Sequence, residues 1–154
     1  MKKIILLFAG IIFISIAYSQ IIEDENGVYY DQNKNLYNGT YIEFYDNGNK
    51  KIEINIVDGY KDGQTFLYFP DGTLNEIRSY KKGKMDGTWT TFNKEGKKTA
   101  IANYTDNKKD GKWIIWDDNG VKRYEMEYKE GKRSGIWTMW NENGEQVNQY
   151  NYDK

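Results

Sequence analysis

A glycine recurs every 24 residues along most of this chain, at Gly39, Gly63, Gly87, Gly111 and Gly135. A second series keeps the same interval at Gly48, Gly72, Gly96, Gly120 and Gly144, and no insertion breaks the register. A third stands at Gly59, Gly83 and Gly131, with Asn107 in its place in the third unit. Turn-forming residues held at several offsets over a period of about 20–50 residues mark stacked supersecondary units, each too small to bury a face alone. Everything after residue 38 is therefore one unit copied, with Asp86–Lys109 (D-G-T-W-T-T-F-N-K-E-G-K-K-T-A-I-A-N-Y-T-D-N-K-K) as its clearest copy.

Each unit contains two turn signals. Asn47-Gly48, Asp71-Gly72, Glu95-Gly96, Asn119-Gly120 and Asn143-Gly144 lie between short runs rich in aromatic and β-branched residues, a pattern that predicts a tight hairpin with a two-residue loop. The other signal, as in Lys82-Gly83-Lys84-Met85-Asp86-Gly87, is longer and predicts the link from one hairpin to the next. No segment after residue 20 carries a helical period. The fold class is all-β: an elongated single-layer antiparallel meander of five 24-residue β-hairpins over residues 39–154. Residues 20–38 depart from the period and read as an N-terminal capping strand and connector, as terminal units of repeat arrays do.

Strand alternation then sorts the side chains. Residues two, four and six after the opening glycine share a face with those at thirteen, fifteen and seventeen. That face takes Trp89, Trp113 and Trp137 at position two and Tyr80, Tyr104, Tyr128 and Tyr152 at position seventeen, so it is expected to be the packed one, with Trp113 buried. Ile115, Met139, Met126 and Tyr150 fall on it too. The opposite face is expected to be mostly Thr, Asn, Lys and Glu, except for one column at position five: Phe44, Tyr68, Phe92, Trp116 and Trp140. Rings in that column stand two strands apart, roughly 10 Å.

The chain begins Met1-Lys2-Lys3, runs apolar from Ile4 to Ile16 and reaches Ala17-Tyr18-Ser19 before Gln20. A basic start, a short apolar stretch and small residues at a cleavage site make residues 1–19 a secretory signal peptide, with its usual helix. The apolar run is short for a membrane span, so no transmembrane anchor is expected after cleavage, and the expected location is secreted or periplasmic. Of 22 basic side chains, loss of Lys2 and Lys3 leaves 20 against 23 acidic, a balance that points away from nucleic acid. The chain has no cysteine, so stacking rather than disulfides must hold it.

With neither histidine nor cysteine, Ser-His and Cys-His nucleophilic pairs and the ordinary zinc ligand sets are absent. The chain is read as a non-enzyme with no cofactor and no metal. Asp62, Asp86 and Asp110 each precede an opening glycine and read as turn residues, because a catalytic pair would break the period. Asp106–Gly111 and Asp117–Gly120 gather oxygen ligands, but lysines sit where an EF-type loop wants acceptors and its closing glutamate is missing. Lys61, Lys84, Lys108, Lys109, Lys132 and Arg133 line the longer turns and read as a solvated rim that discourages strand addition.

The unit G-x-W-x-x-F/W-x-x-x-G, followed by a strand ending in Tyr and by K-x-G-K-x-D-G, resembles the MORN repeat, and more closely the variant carried by bacterial YwqK-type antitoxins. The likeness spans residues 39–152 with a preceding Tyr29-Tyr30 and Tyr37-Asn38-Gly39. It implies a twisted single-layer sheet serving as an interaction platform and brings no catalytic positions. An antitoxin role would imply neutralising a toxin, which outside the cytoplasm requires an exported partner. The expected function is a protein-binding scaffold that offers Phe44, Tyr68, Phe92, Trp116 and Trp140 to a protein partner or a second copy. Two other readings stay open: cross-strand packing alone, and a cell-wall or polysaccharide binder stacking the rings on sugars.

Overall fold

The computed structural model describes residues 21–153; the signal peptide expected over 1–19 lies outside them. Two short strands, β1 (Ile22–Glu23) and β2 (Tyr29–Tyr30), pair with each other in a sheet of their own. The hairpins follow as β3 (Gly39–Phe44) with β4 (Lys50–Val57), and β5 (Tyr60–Tyr68) with β6 (Leu74–Lys81). A short β7 (Lys84–Met85) leads into β8 (Gly87–Phe92) with β9 (Lys98–Thr105), and a short β10 (Lys108–Lys109) into β11 (Gly111–Trp116) with β12 (Lys122–Lys129). The series ends with β13 (Lys132–Trp140) and β14 (Gln146–Asn151). From β3 to β14 all pairs are antiparallel in one 12-stranded sheet, in chain order except that β6 also pairs with β8 and β9 with β11, past the short β7 and β10. Among the described residues there is no helix.

The two turns exchange the roles expected of them. At the Asn-Gly signal, Tyr45 N–H donates to the Asn49 carbonyl and Gly48 N–H to the Tyr45 carbonyl, both at 2.9 Å. The loop is thus Asp46-Asn47-Gly48, closed by a left-handed glycine at φ 86°, a three-residue hairpin. The register then slips between Glu43 and Phe44, which face Ile52 and Lys50 and leave Lys51 as the extra residue. Loop and bulge each add one residue, and the two shifts cancel. Beyond them Tyr41 faces Ile54, the pairing a two-residue loop would give, so the expected division into faces survives the wrong loop. The same slip recurs at Leu67/Tyr68, Thr91/Phe92, Ile115/Trp116 and Met139/Trp140.

The supposed longer turn is the tight one. Lys81 pairs directly with Lys84 across Lys82-Gly83, and Lys129 with Lys132 across Glu130-Gly131. Both loop residues are left-handed: φ is 49° and 80° at Lys82-Gly83, 49° and 67° at Asp106-Asn107, and 52° and 86° at Glu130-Gly131. That is the type I′ signature, whose twist matches the strands it joins. Consecutive tight turns bond to one another, since Gly83 N–H donates to the Lys61 carbonyl and Gly131 N–H to the Lys109 carbonyl, both at 2.8 Å. The aspartates before the opening glycines reinforce this column. Asp62 accepts the Lys82 N–H at 3.1 Å, Asp86 that of Asp106 at 3.3 Å, and Asp110 that of Glu130 at 3.4 Å.

Burial is concentrated at the N-terminal end. Val28, Tyr29, Ile54, Ile56 and Thr65 are buried, with Ile21, Tyr37, Tyr41 and Ile52 packed around Tyr29, Ile54 and Ile56. The cap therefore lies over the packed face of the first hairpin rather than adding a strand to the meander. It is tied down by Tyr29 N–H donating to the Gly59 carbonyl at 2.8 Å and Gly59 N–H to the Tyr37 carbonyl at 2.9 Å. A Cβ on Gly59 would stand 2.7 Å from Leu36 Cδ2, so this glycine is required by both its φ of 78° and the close approach of the cap.

Candidate functional site

On the packed face the rings of positions two and seventeen form one continuous ladder. Tyr80, Trp89, Tyr104, Trp113, Tyr128, Trp137 and Tyr152 follow each other at centroid distances between 4.9 and 5.5 Å, tilted or edge-on. Each tyrosine stands across from an opening glycine, as Tyr104 does from Gly87, so the ring fills the space its partner leaves. Each tryptophan is fixed by the same bond. The indole N–H of Trp89 donates to the Ser79 carbonyl at 3.0 Å, Trp113 to Asn103 at 3.0 Å and Trp137 to Glu127 at 2.9 Å. These rings are half-buried rather than buried, so Trp113 contributes less by burial than the sequence suggested. Burial nevertheless pushes the Tyr104 phenol above its ordinary pKa.

Cations from the tight-turn strands lie on this ladder. Lys109 Nζ sits 4.3 Å from the Trp113 centroid and 4.8 Å from that of Tyr128, and the Arg133 guanidinium 4.8 Å from Trp137 and 5.4 Å from Tyr152. These two members of the expected basic rim thus pack on rings as well as facing water. Lys61 repeats the arrangement with Tyr80 at 5.8 Å, but its other ring, at 5.6 Å, is Tyr29 of the cap. The second hairpin has Thr65 where later ones have tryptophan. Tyr29 occupies the position that residue leaves open.

The opposite face holds the column named from the sequence, and it is less polar than expected. Phe44 is 49 % exposed; Tyr68, Phe92, Trp116 and Trp140 are half-buried. Lysines stand across from three of the rings: Lys50 from Phe44, Lys98 from Phe92 and Lys122 from Trp116. Lys122 Nζ also lies 4.3 Å from the Trp140 centroid. Beside the rings, Phe66, Ile77, Ile101 and Ile114 form a half-buried apolar stripe along the middle of this face. Phe66 pairs with Ile77 and Ile114 with Ile101, and Thr90 stands between the two pairs, opposite Ile77 on one side and Ile101 on the other. Among the described residues no second sheet or helix lies over this face.

Two lysines on the column face converge on one carboxylate. Glu125 accepts from Lys112 at 2.7 Å and Lys122 at 2.8 Å, and these bonds hold its carboxyl below the ordinary glutamate range. Lys84 does the same for Asp106 at the tight-turn edge. The oxygen cluster at Asp117 serves its own turn, accepting the N–H groups of Asn119 and Val121, both at 3.0 Å.

The sequence placed Ile115, Met126, Met139 and Tyr150 on the packed face but did not show that nothing covers them. Ile115 pairs with Tyr124 and Tyr124 with Met139, while Met126 faces Trp113 and Tyr150 faces Trp137. Ile115, Tyr124 and Tyr150 are 37 %, 39 % and 46 % exposed. A signal was present in the paired positions thirteen and fifteen, which change from Glu76/Arg78 through Ala100/Ala102 to Tyr124/Met126.

Hairpins joined in one register by tight turns, with rings touching from each unit to the next, define a β-hairpin repeat protein. Three stretches of the chain, residues 37–58, 61–82 and 109–130, match the model described as MORN repeat variant. The second begins 24 residues after the first and the third 48 after the second, in phase with the glycines. No curated protein matches the chain. Among solved structures, a chain in the crystal structure of a GtfA/B complex bound to UDP and GlcNAc is similar at 12 % identity and a TM-score of 0.30. The alignment covers 88 % of this chain and 24 % of that one, so this chain spans about a quarter of that length, and at this score the likeness carries no argument.

Proposed function

We propose that this chain is a non-catalytic protein-binding scaffold of five 24-residue hairpin repeats, exported by its N-terminal segment, whose partner-binding residues are Phe44, Tyr68, Phe92, Trp116 and Trp140. The observation that carries the reading is the column face itself, with aromatic rings and an apolar stripe over which, among the described residues, no other element lies. Aromatic and aliphatic surface flanked by lysine suits a protein interface, where aromatic anchors supply most of the affinity. The matches to the MORN repeat variant agree with a repeat-based binding scaffold. A partner-neutralising, antitoxin-like role is one form this scaffold takes if its partner is an exported toxin.

Crosslinking in the native host tests it, because Lys98 and Lys122 flank the column and supply reactive amines. Crosslinks from these two lysines to one recurrent partner are expected, and crosslinks confined to the tight-turn lysines would reject the column. The column's ring spacing of roughly 10 Å supports a second reading, a polysaccharide binder. Co-sedimentation with insoluble cell-wall glycan separates the two, since a protein-binding scaffold stays in the supernatant.

A further inference from the structure

We propose that the aromatic ladder is a relay for one-electron oxidation with Tyr150 as its exit: an electron vacancy made on one of its rings passes from ring to ring into the last hairpin and ends there as a tyrosyl radical. The seven rings from Tyr80 to Tyr152 alternate tyrosine and tryptophan, the two aromatic side chains that give up a single electron most easily. Successive centroids are 4.9 to 5.5 Å apart, so no step crosses a layer of aliphatic side chains or water. The series spans six strand spacings, about 29 Å. Phenylalanine packs as well but resists oxidation. It stands in the column of the other face, at Phe44 and Phe92, and at none of the seven ladder positions.

The surroundings decide where the vacancy rests. Each indole N–H of the ladder donates to a backbone carbonyl at 2.9 to 3.0 Å. A carbonyl is too weak a base to take the proton, so an oxidised indole stays a cation. A cationic side chain also lies over each indole: Arg78 at 5.0 Å from Trp89, Lys109 at 4.3 Å from Trp113 and Arg133 at 4.8 Å from Trp137. Like charge at that distance raises the cost of a positive ring, so the vacancy crosses the tryptophans without settling. Tyr104, in the middle, holds its proton more tightly than usual because it is partly buried. Tyr150 follows Tyr152 at 6.4 Å. Arg133 reaches as far as Tyr152, at 5.4 Å, and among the described residues no cation lies over Tyr150. Its ring is exposed, and its hydroxyl oxygen accepts from Asn148 Nδ2 at 2.8 Å, which leaves the phenol proton free to pass to water. Loss of that proton makes the radical neutral and holds it there.

An oxidant of the oxygen-radical class closes the balance: it takes one electron from a ladder ring and one proton from water, and the Tyr150 phenol returns one proton to water. Two molecules so oxidised join by a carbon–carbon bond between their Tyr150 rings, each ring hydrogen at the new bond moving to its own oxygen, which gives a dityrosine-linked pair. The chain has no cysteine, so Lys81→Cys offers a single attachment point beside Tyr80 for a ruthenium photosensitiser. Flash-quenching then makes a ruthenium(III) oxidant at the end of the ladder remote from Tyr150. Electron paramagnetic resonance and peptide mass spectrometry, with oxygen excluded, are expected to find a tyrosyl radical and dityrosine at Tyr150. Replacing Tyr104, Trp113 and Tyr128 together by phenylalanine opens a gap of about 19 Å, four strand spacings, between Trp89 and Trp137. The signal at Tyr150 should then be lost with the far-ultraviolet dichroism unchanged; Trp113→Phe alone, which keeps the packing, should lower it. Tyr150→Phe should leave the radical on Tyr152. Oxidation confined to Tyr80 and Trp89 in the labelled parent overturns the relay, and so does a Tyr150 signal undiminished in the phenylalanine variants. A radical trapped at Tyr104 in the labelled parent overturns the exit.

Discussion

Tyr29 lies over Lys61, with 5.6 Å between ring centroid and ammonium, in the relation that Trp113 has to Lys109 and Trp137 to Arg133 in later hairpins. The cap thus supplies a ring that the second hairpin lacks, because Thr65 stands at the tryptophan position. Tyr29 is 2 % exposed and Thr65 3 %, so the exchange is sterically tight. Tyr29→Ala should cost about 3–5 kcal/mol by the usual price of deleting a buried ring. Thr65→Trp alone should also destabilise, by overpacking against Tyr29, yet in the Tyr29→Ala background it should recover part of the loss. Urea unfolding of the three variants measures this, and a Thr65→Trp that destabilises both backgrounds equally argues against the substitution of one ring for the other.

The repeated indole bond is separable from ring burial. Trp113→Phe keeps most of the ladder contact but removes the donor to the Asn103 carbonyl, which should cost about 1 kcal/mol. Trp113→Ala also removes the half-buried ring and should cost about 3 kcal/mol, the low end for an aromatic deletion. Equal losses in chemical denaturation would mean that the bond, not the ring, carries the position.

At the tight turns the backbone asks for residues that the sequence does not always supply. Glu130 is held at φ 52° immediately before Gly131, whereas asparagine is preferred at that position of a type I′ turn. Glu130→Asn should stabilise by about 0.5–1 kcal/mol, seen as a higher melting temperature. The same substitution at Glu95, in the three-residue loops, should do little.

Glu125 makes stability depend on acid. Its folded carboxyl is depressed by the bond to Lys112, then by Lys122, so its contribution is fully present above the unfolded glutamate pKa and disappears as pH falls through the lower, folded value. Glu125→Gln should therefore be less stable than the parent at neutral pH, and the gap should close on acidification. Urea midpoints from neutral pH downward check the sign; a gap that widens toward acid contradicts the clamp.

The period carried the architecture because turn-forming residues at fixed intervals leave the chain few ways to pair. The faces were legible even though the loop was not. Asn47-Gly48 looks like a two-residue turn, and only the hydrogen bonds reveal three loop residues with a bulge at Lys51 that restores the pairing. Lys82-Gly83 hid its tight turn because a lysine in left-handed conformation is a choice that tertiary contacts impose, here the Lys61 carbonyl and the Asp62 carboxylate. The aromatic column could be read by counting. The exposure of Tyr124 and Tyr150 could not, because it depends on the cap covering the first hairpin and leaving the last two bare.

The most direct measurement pairs folding with capture. Trp116 and Trp140 are replaced together by alanine, and the variant is compared with the parent for far-ultraviolet dichroism and for retention of the partner crosslinked through Lys98 and Lys122. An unchanged spectrum with the partner lost is the expected result. An unchanged spectrum with the partner retained at full yield would contradict a scaffold that binds through its aromatic column.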